Sequence, residues 1–174
     1  MATPEVPSDV FTPGGGIRLD LLTDPAASAL REAIRLARET RWETVRSPHI
    51  FMGLLSVPDP CMSKWGECLG EDSLPNLLDR FQELFHQKEA DGEATLALNR
   101  EFLSDNAIRL LRGARARATS YGRQFITSMD LLISMFTAIE SSIVAHCFES
   151  IGYSAAKLTD MAVWAEQQAF RSGR

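Results

Sequence analysis

The sequence predicts an all-α fold, an eight-helix bundle made of two pseudo-twofold-related four-helix repeats. Three observations carry that expectation. The stretch 45–55, VRSPHIFMGLL, returns at 126–136 as ITSMDLLISMF, with every position advanced by 81. In both copies the apolar residues follow one helical face, so that Ile50, Phe51, Leu54 and Leu55 become Leu131, Leu132, Met135 and Phe136. The helix before each copy recurs as well: Asp105, Leu111, Ala114 and Ala118 stand 81 positions after Asp24, Leu30, Ala33 and Ala37. A unit of about 60 residues is too short to bury a core comfortably alone, so the two copies are expected to pack together.

Residues 1–22 hold Pro4, Pro7 and Pro13 before Gly14-Gly15-Gly16 and show no usable period. They read as a mobile N-terminal tail, with Ile17, Leu19, Leu21 and Leu22 able to dock on the domain. The first four-helix repeat spans 23–88. Asp24-Pro25 opens its first helix, and Ala26, Ala29, Leu30, Ala33, Ile34 and Ala37 repeat at i, i+3, i+4 and i+7 to about Arg41. Alanines along that face let a second helix come close. The second helix starts at Ser47, whose hydroxyl can accept an N–H of the first turn. Pro48 follows at the first helical position, and the helix stops before Pro58 and Pro60.

A third helix, from about Cys61, buries Met62, Trp65 and Leu69 and ends at Gly70, which can adopt the left-handed conformation. The fourth begins at Ser73 and places Leu74, Leu77, Leu78, Phe81, Leu84 and Phe85 on one stripe. It fades into HQKEADGEA, and 89–103 reads as a linker. The second repeat, 104–170, then runs through the same events: a fifth helix from Asp105, a sixth from Ser128 and a seventh over Ser142–Ile151 that ends at Gly152. The step from Gly70 to Gly152 is 82, so one residue is inserted between the second and third helices. The eighth helix, from Ser154, carries Leu158, Met161, Ala162 and Ala165. Residues 23–170 are expected to form one domain.

Composition excludes several functions. A net charge of -5 over 174 residues argues against nucleic acid as a default partner. No stretch approaches the roughly 20 apolar residues that span a bilayer, so no membrane contact is expected. With no secretory signal at the N-terminus and only three cysteines, a cytoplasmic location is expected. The glycine run is not followed by Lys-Ser/Thr, and GxGxxG is absent, so no nucleotide cofactor is expected. Cys61 and Cys68, or His146 and Cys147, do not have a zinc spacing. No triad or acid pair is in view, so no catalytic residue is assigned and the chain does not read as an enzyme.

The order of these elements, A-x-x-x-A in the first helix, and I-x-S/T-x-H-I/L-L/F-x-x-L-L/I opening the second together carry a resemblance over about Asp24 to Gln168. The chain resembles the N-terminal, double-repeat Clp N domain of the Clp-type AAA+ unfoldases. The resemblance implies a non-catalytic domain that docks protein or peptide segments, whether substrate, adaptor or a Clp-type ATPase, here read without the ATPase ring. Relatives that recognise phosphorylated arginine carry a glutamate between the Ser/Thr and the His. Pro48 and Met129 stand there in this chain, and neither offers a carboxylate to a guanidinium.

His49 keeps the family histidine, whereas its counterpart in the second copy is Asp130. The candidate partner-binding residues are those beside the repeated motif: Arg46, Ser47, His49, Ser128 and Asp130. They would line a groove that takes a partner helix or segment. Two of them also have a structural reading, Asp130 as a helix-start acid and His49 as a hydrogen-bonding group to the preceding loop. The alternative function is nucleic-acid or polyanion binding through two arginine stripes, Arg31, Arg35 and Arg38 on the first helix and Arg109, Arg112 and Arg115 on the fifth. Interleaved Glu32, Glu39 and Asp105 make the same stripes readable as solvated faces.

Overall fold

The computed structural model describes residues 9–40, 42–70, 73–85, 98–139, 142–149 and 152–172. Among them are eight α-helices and no strand: α1 (Asp24–Glu39), α2 (Ser47–Ser56), α3 (Pro60–Leu69), α4 (Ser73–Phe85), α5 (Asp105–Ser120), α6 (Ser128–Thr137), α7 (Ile143–Glu149) and α8 (Ala155–Ser172). The breaks fall where backbone chemistry puts them. Asp59 caps α3 by accepting the Met62 N–H at 2.8 Å, and Ser154 accepts the Lys157 N–H at the start of α8. Gly70 and Gly152 both have positive φ just beyond α3 and α7.

The two repeats are tied together through their backbones. Ile126 N–H donates to Leu21 C=O at 2.7 Å, and Thr23 N–H donates to Ile126 C=O at 3.0 Å. Val45 N–H donates to Phe102 C=O at 2.8 Å, and Ser104 N–H donates to Val45 C=O at 3.0 Å. A shift of 81 turns the first pair of bonds into the second while exchanging the repeats. The lead-in to α1 is therefore held by the segment before α6, and the lead-in to α5 by the segment before α2. Separating the repeats would break all four bonds and leave four N–H and four C=O groups without these partners.

This interlock moves the boundaries read from the sequence. Short 3-10 turns at Leu19–Leu21 and Arg100–Phe102 are copies of one another, so each repeat begins before 23 and 104. Residues 98–103 of the expected linker belong to the second repeat, and 89–97 lie outside the described residues. The expected tail is also packed from Asp9 onward, while 1–8 lie outside the described residues. Val10, Phe11, Ile17, Leu21 and Leu22 are buried. The Phe11 ring lies under the guanidiniums of Arg100 and Arg112, and Asp9 pairs with Arg112 at 3.0 Å. Ile17 N–H donates to Leu98 C=O, and Arg100 N–H donates to Gly15 C=O. Gly15 has φ near +90°, and a Cβ there would come within 2.9 Å of Asn99 Oδ1.

α2 and α6 occupy the centre and are buried on nearly every face, whereas α1 and α5 cover them from outside. An aromatic cluster joins the halves: Phe51 of α2 meets Trp65 of α3, Phe81 of α4 and Phe148 of α7 edge-on. Phe136 of α6 reaches the same Phe148, and Trp65 Nε1–H donates to Leu158 C=O of α8 at 3.2 Å. Leu77 and Phe81 of the predicted α4 stripe are buried. The side chains of Leu74, Leu84 and Phe85 lie outside the described residues.

Candidate functional site

The two copies of the repeated motif start in the same way at the backbone and differ in chemistry at the side chains. The cap of α6 is Thr127, one residue before the expected Ser128. Thr127 Oγ1 accepts the Asp130 N–H at 3.2 Å while Asp130 Oδ2 accepts the Thr127 N–H at 2.9 Å, a reciprocal capping box. At α2 the same position is Arg46, which has no hydroxyl, and its N–H donates to His49 Nδ1 at 2.9 Å. Ser47 and Ser128 are thus the first helical residues and not the caps. Both are buried, and the Ser128 hydroxyl has no hydrogen-bond partner.

Around His49 the surroundings are aromatic. The Trp42 and His49 rings meet edge to face with centroids 5.2 Å apart, and the Arg46 guanidinium stacks 5.2 Å from the Trp42 centroid. Only Arg46 among the five candidates is exposed. His49 is 1% exposed, and since Nδ1 accepts a hydrogen bond, its proton sits on Nε2, which has no partner.

Burial, reinforced by the Arg46 charge, holds the His49 imidazole down at about 4 against an ordinary 6.5. The unfolded chain therefore takes up a proton between those values that the folded chain refuses. Stability is full above about pH 6.5 and falls as the pH drops toward 4, by at most about 3 kcal/mol. Urea denaturation of wild type and His49→Gln near pH 7 and near pH 4.5 checks this: the variant loses the acid-dependent part, and parallel pH curves would contradict it.

Around Asp130 the same positions are ionic. Its carboxylate is fully buried and accepts hydrogen bonds from Arg117 at 2.6 Å and from Arg123 at 2.6 and 2.7 Å, besides the Thr127 N–H. Glu166 of α8 binds Arg117 through both oxygens at 3.1 Å. The two guanidiniums stack on the exposed Tyr121 ring at 4.9 and 5.6 Å. Burial works to raise the Asp130 pKa, but the Arg123, Thr127 and Arg117 hydrogen bonds outweigh it and hold the carboxyl below its usual value. Asp130 is thus a helix-start acid and also the centre of a buried ion cluster that fastens α8 to α5 and α6.

The five candidates form two separate groups, Arg46, Ser47 and His49 at the start of α2 and Ser128 and Asp130 at the start of α6. Trp42, Arg117, Arg123, Tyr121 and Glu166 were not singled out by sequence reasoning. Comparison of the copies could have found three of them. Leu36, Trp42 and His49 become Arg117, Arg123 and Asp130 at the shift of 81, an apolar set replaced together by a charged one.

The arginine stripes are largely occupied locally. Arg35 pairs with Glu32 and Glu39, Arg112 with Asp9, and Arg115 donates to Gln124 C=O. Cys61 and Cys147 are half-buried, and Cys68 is exposed. Among the described residues no group of three or more His, Cys, Asp or Glu could hold a metal ion, and no helix is long and apolar enough to cross a membrane.

Residues 21–151 match the family model of the Clp repeat (R) N-terminal domain. The fold is similar to the crystal structure of the N-terminal domain of the caseinolytic protease associated chaperone ClpD from Arabidopsis thaliana, with a TM-score of 0.63 at 15% identity over 88% of this chain and 99% of that one. It is also similar to the Hsp104 N-terminal domain from Candida albicans, with a TM-score of 0.64 at 12% identity over 82% of this chain and 89% of that one. No curated protein matches the sequence.

Proposed function

Since this chain belongs to the Clp repeat N-terminal domain family, we propose that it is a non-catalytic docking domain that binds protein or peptide segments, whether substrate, adaptor or a Clp-type ATPase. The observation that carries this reading is the family match over residues 21–151, which takes in α1 to α7 and the four backbone bonds at Leu21, Thr23, Val45 and Ile126. A cytoplasmic location goes with it. The docking face we assign is the start of α2, where Arg46 is exposed over the half-buried Trp42. There a partner segment can lay an apolar residue against the indole and an acidic one against the guanidinium. Ser47 and His49 shape that face from beneath. Ser128 and Asp130 do the equivalent in the second repeat, where the exposed Tyr121 ring takes the place of the indole.

Fluorescence anisotropy with a panel of unstructured peptides tests the assignment. Wild type binds a subset of them, and Arg46→Glu weakens those with acidic residues about tenfold, or about 1.4 kcal/mol. Wild type binding no peptide at all would overturn the docking function, whereas unchanged affinities in Arg46→Glu would overturn only the chosen face.

A further inference from the structure

Residues 9–12 precede the first repeat and are held as a bound peptide is held. They run antiparallel to 16–18: Thr12 N–H donates to Gly16 C=O and Arg18 N–H donates to Val10 C=O, both at 2.8 Å, and Phe11 is bridged to Ile17. Val10 and Phe11 are buried in the core cluster. Asp9 pairs with Arg112 of α5 at 3.0 Å, and the guanidiniums of Arg112 and Arg100 lie 5.5 and 6.0 Å from the Phe11 ring centroid. An acidic, an aliphatic and an aromatic residue thus each find their own setting in three successive positions.

The seat is built without its occupant. Ile17 N–H donates to Leu98 C=O at 3.0 Å, Arg100 N–H donates to Gly15 C=O at 2.7 Å, and Asn99 Nδ2–H donates to Gly14 C=O at 3.2 Å, so 14–17 are fastened to the lead-in of α5. Arg112 stands on α5 itself. None of these bonds uses 9–12. Lifting that segment away would leave the Arg18 N–H as an open edge donor, beside an apolar hollow and two solvent-exposed guanidiniums. An unpaired backbone edge of that kind accepts an added strand.

We infer that this seat is a strand-addition site for a partner polypeptide, taking an extended segment in which an acidic residue is followed by an aliphatic and an aromatic one, and that residues 9–12 fill it in cis until such a segment displaces them. The inference rests on the docking function proposed above and gives it a second place on the molecule. In strand addition the backbone bond supplies affinity and the side-chain settings supply selectivity. Arg112 selects the carboxylate, and the paired guanidiniums select an aromatic face. Because the cis segment is tethered, its effective concentration is of millimolar order, and a partner competes against that.

The test is fluorescence anisotropy of the full chain with labelled Asp-Val-Phe-Thr, with a form carrying lysine in place of the acid, and with a form carrying alanine in place of the phenylalanine. Asp9→Ala/Phe11→Ala, which empties the seat, binds the first peptide at least about tenfold more tightly than wild type does. Asp9→Lys changes only an exposed side chain and gives a smaller gain in the same direction. Adding Arg112→Glu to the emptied variant reverses the preference toward the lysine peptide. Hydrogen exchange of the Arg18 amide is the second readout: it is slow in wild type, fast in the emptied variant and slowed again by the peptide. No gain in binding in either variant, equal binding of the alanine form, or an Arg18 amide that stays fast with peptide bound would each overturn the site. The panel of unstructured peptides separates the two readings. Panel binding in wild type with no gain for Asp-Val-Phe-Thr strikes the strand-addition site alone, and absent panel binding in wild type strikes the docking function.

Discussion

Asp130→Asn lowers the unfolding free energy by about 3–5 kcal/mol in urea denaturation near neutral pH. The substitution changes little but charge. Asparagine has nearly the same shape and keeps a carbonyl oxygen for the Thr127 N–H, so the cap at the start of α6 persists. What is lost is the acid that Arg117 and Arg123 share in a place without water: the Asp130 side chain is 0% exposed, and those of Arg117 and Arg123 are 13% and 24% exposed. Arg117 retains Glu166, but among the described residues Arg123 keeps only the face of Tyr121. An added Arg123→Leu therefore costs much less in the Asp130→Asn background than in wild type, a coupling a double-mutant cycle reads directly. A loss below about 1 kcal/mol for Asp130→Asn would mean that the cluster behaves like a solvated surface pair.

The same cluster makes a distinct contribution to acid sensitivity. The Asp130 carboxyl lies below its usual 3.8 when folded. Its stabilising effect is present above the unfolded value and is lost as the pH falls through the lower folded one. The His49 effect occupies the window from 6.5 down to about 4, and that of Asp130 lies below it. Acid unfolding of wild type thus has two stages, an upper one removed by His49→Gln and a lower one removed by Asp130→Asn.

What the sequence made legible was set by the way each feature is encoded. The repeat at 81 was visible because helix burial writes itself into side-chain type at a fixed period, from Ala26 to Ala37 and again from Ala107 to Ala118. The cross-repeat bonds at Leu21, Val45, Phe102 and Ile126 use backbone atoms, which every residue has, so no side-chain pattern announces them. Val10 and Phe11 were missed because two buried residues in an irregular segment have no period. At the candidate site, the helix-start position of Asp130 was readable from its place in the motif. Its partners were not, because Glu166 lies on a different helix and Arg117 turns away from the stripe of Arg109, Arg112 and Arg115. The one signal that did exist was concerted change between the copies, and it becomes interpretable only when the three positions are known to touch.

The second large effect separates the copies by how closely their helices approach. Gly53→Ala costs about 3 kcal/mol, at the upper end for overpacking, and Gly113→Ala about 1 kcal/mol. A Cβ on Gly53 would lie 2.1 Å from Ala29 C=O oxygen and 3.2 Å from Ala33 N, so it meets the backbone of α1, which cannot step aside without moving the helix. In the second repeat Ser134 stands where Gly53 stands in the first, and its hydroxyl donates to Leu110 C=O, the counterpart of Ala29 C=O, at 2.6 Å. A Cβ on Gly113 would meet that hydroxyl at 2.5 Å and the Ala138 Cβ at 2.6 Å; the hydroxyl can rotate away, and Ala138 is the C-cap just past the last residue of α6, where the chain can shift without moving the helix. Part of the strain there is offset because alanine is the better helix former by up to about 1 kcal/mol. The order of the two midpoints in urea is the check, and equal losses would show that the backbone contact at Ala29 is not the limiting one. Because Arg46 and His49 stand at the start of α2, forcing α1 and α2 apart also displaces the proposed docking face. Gly53→Ala therefore weakens peptide binding in the anisotropy assay even at temperatures where it remains folded, while Gly113→Ala leaves binding at the α2 face unchanged.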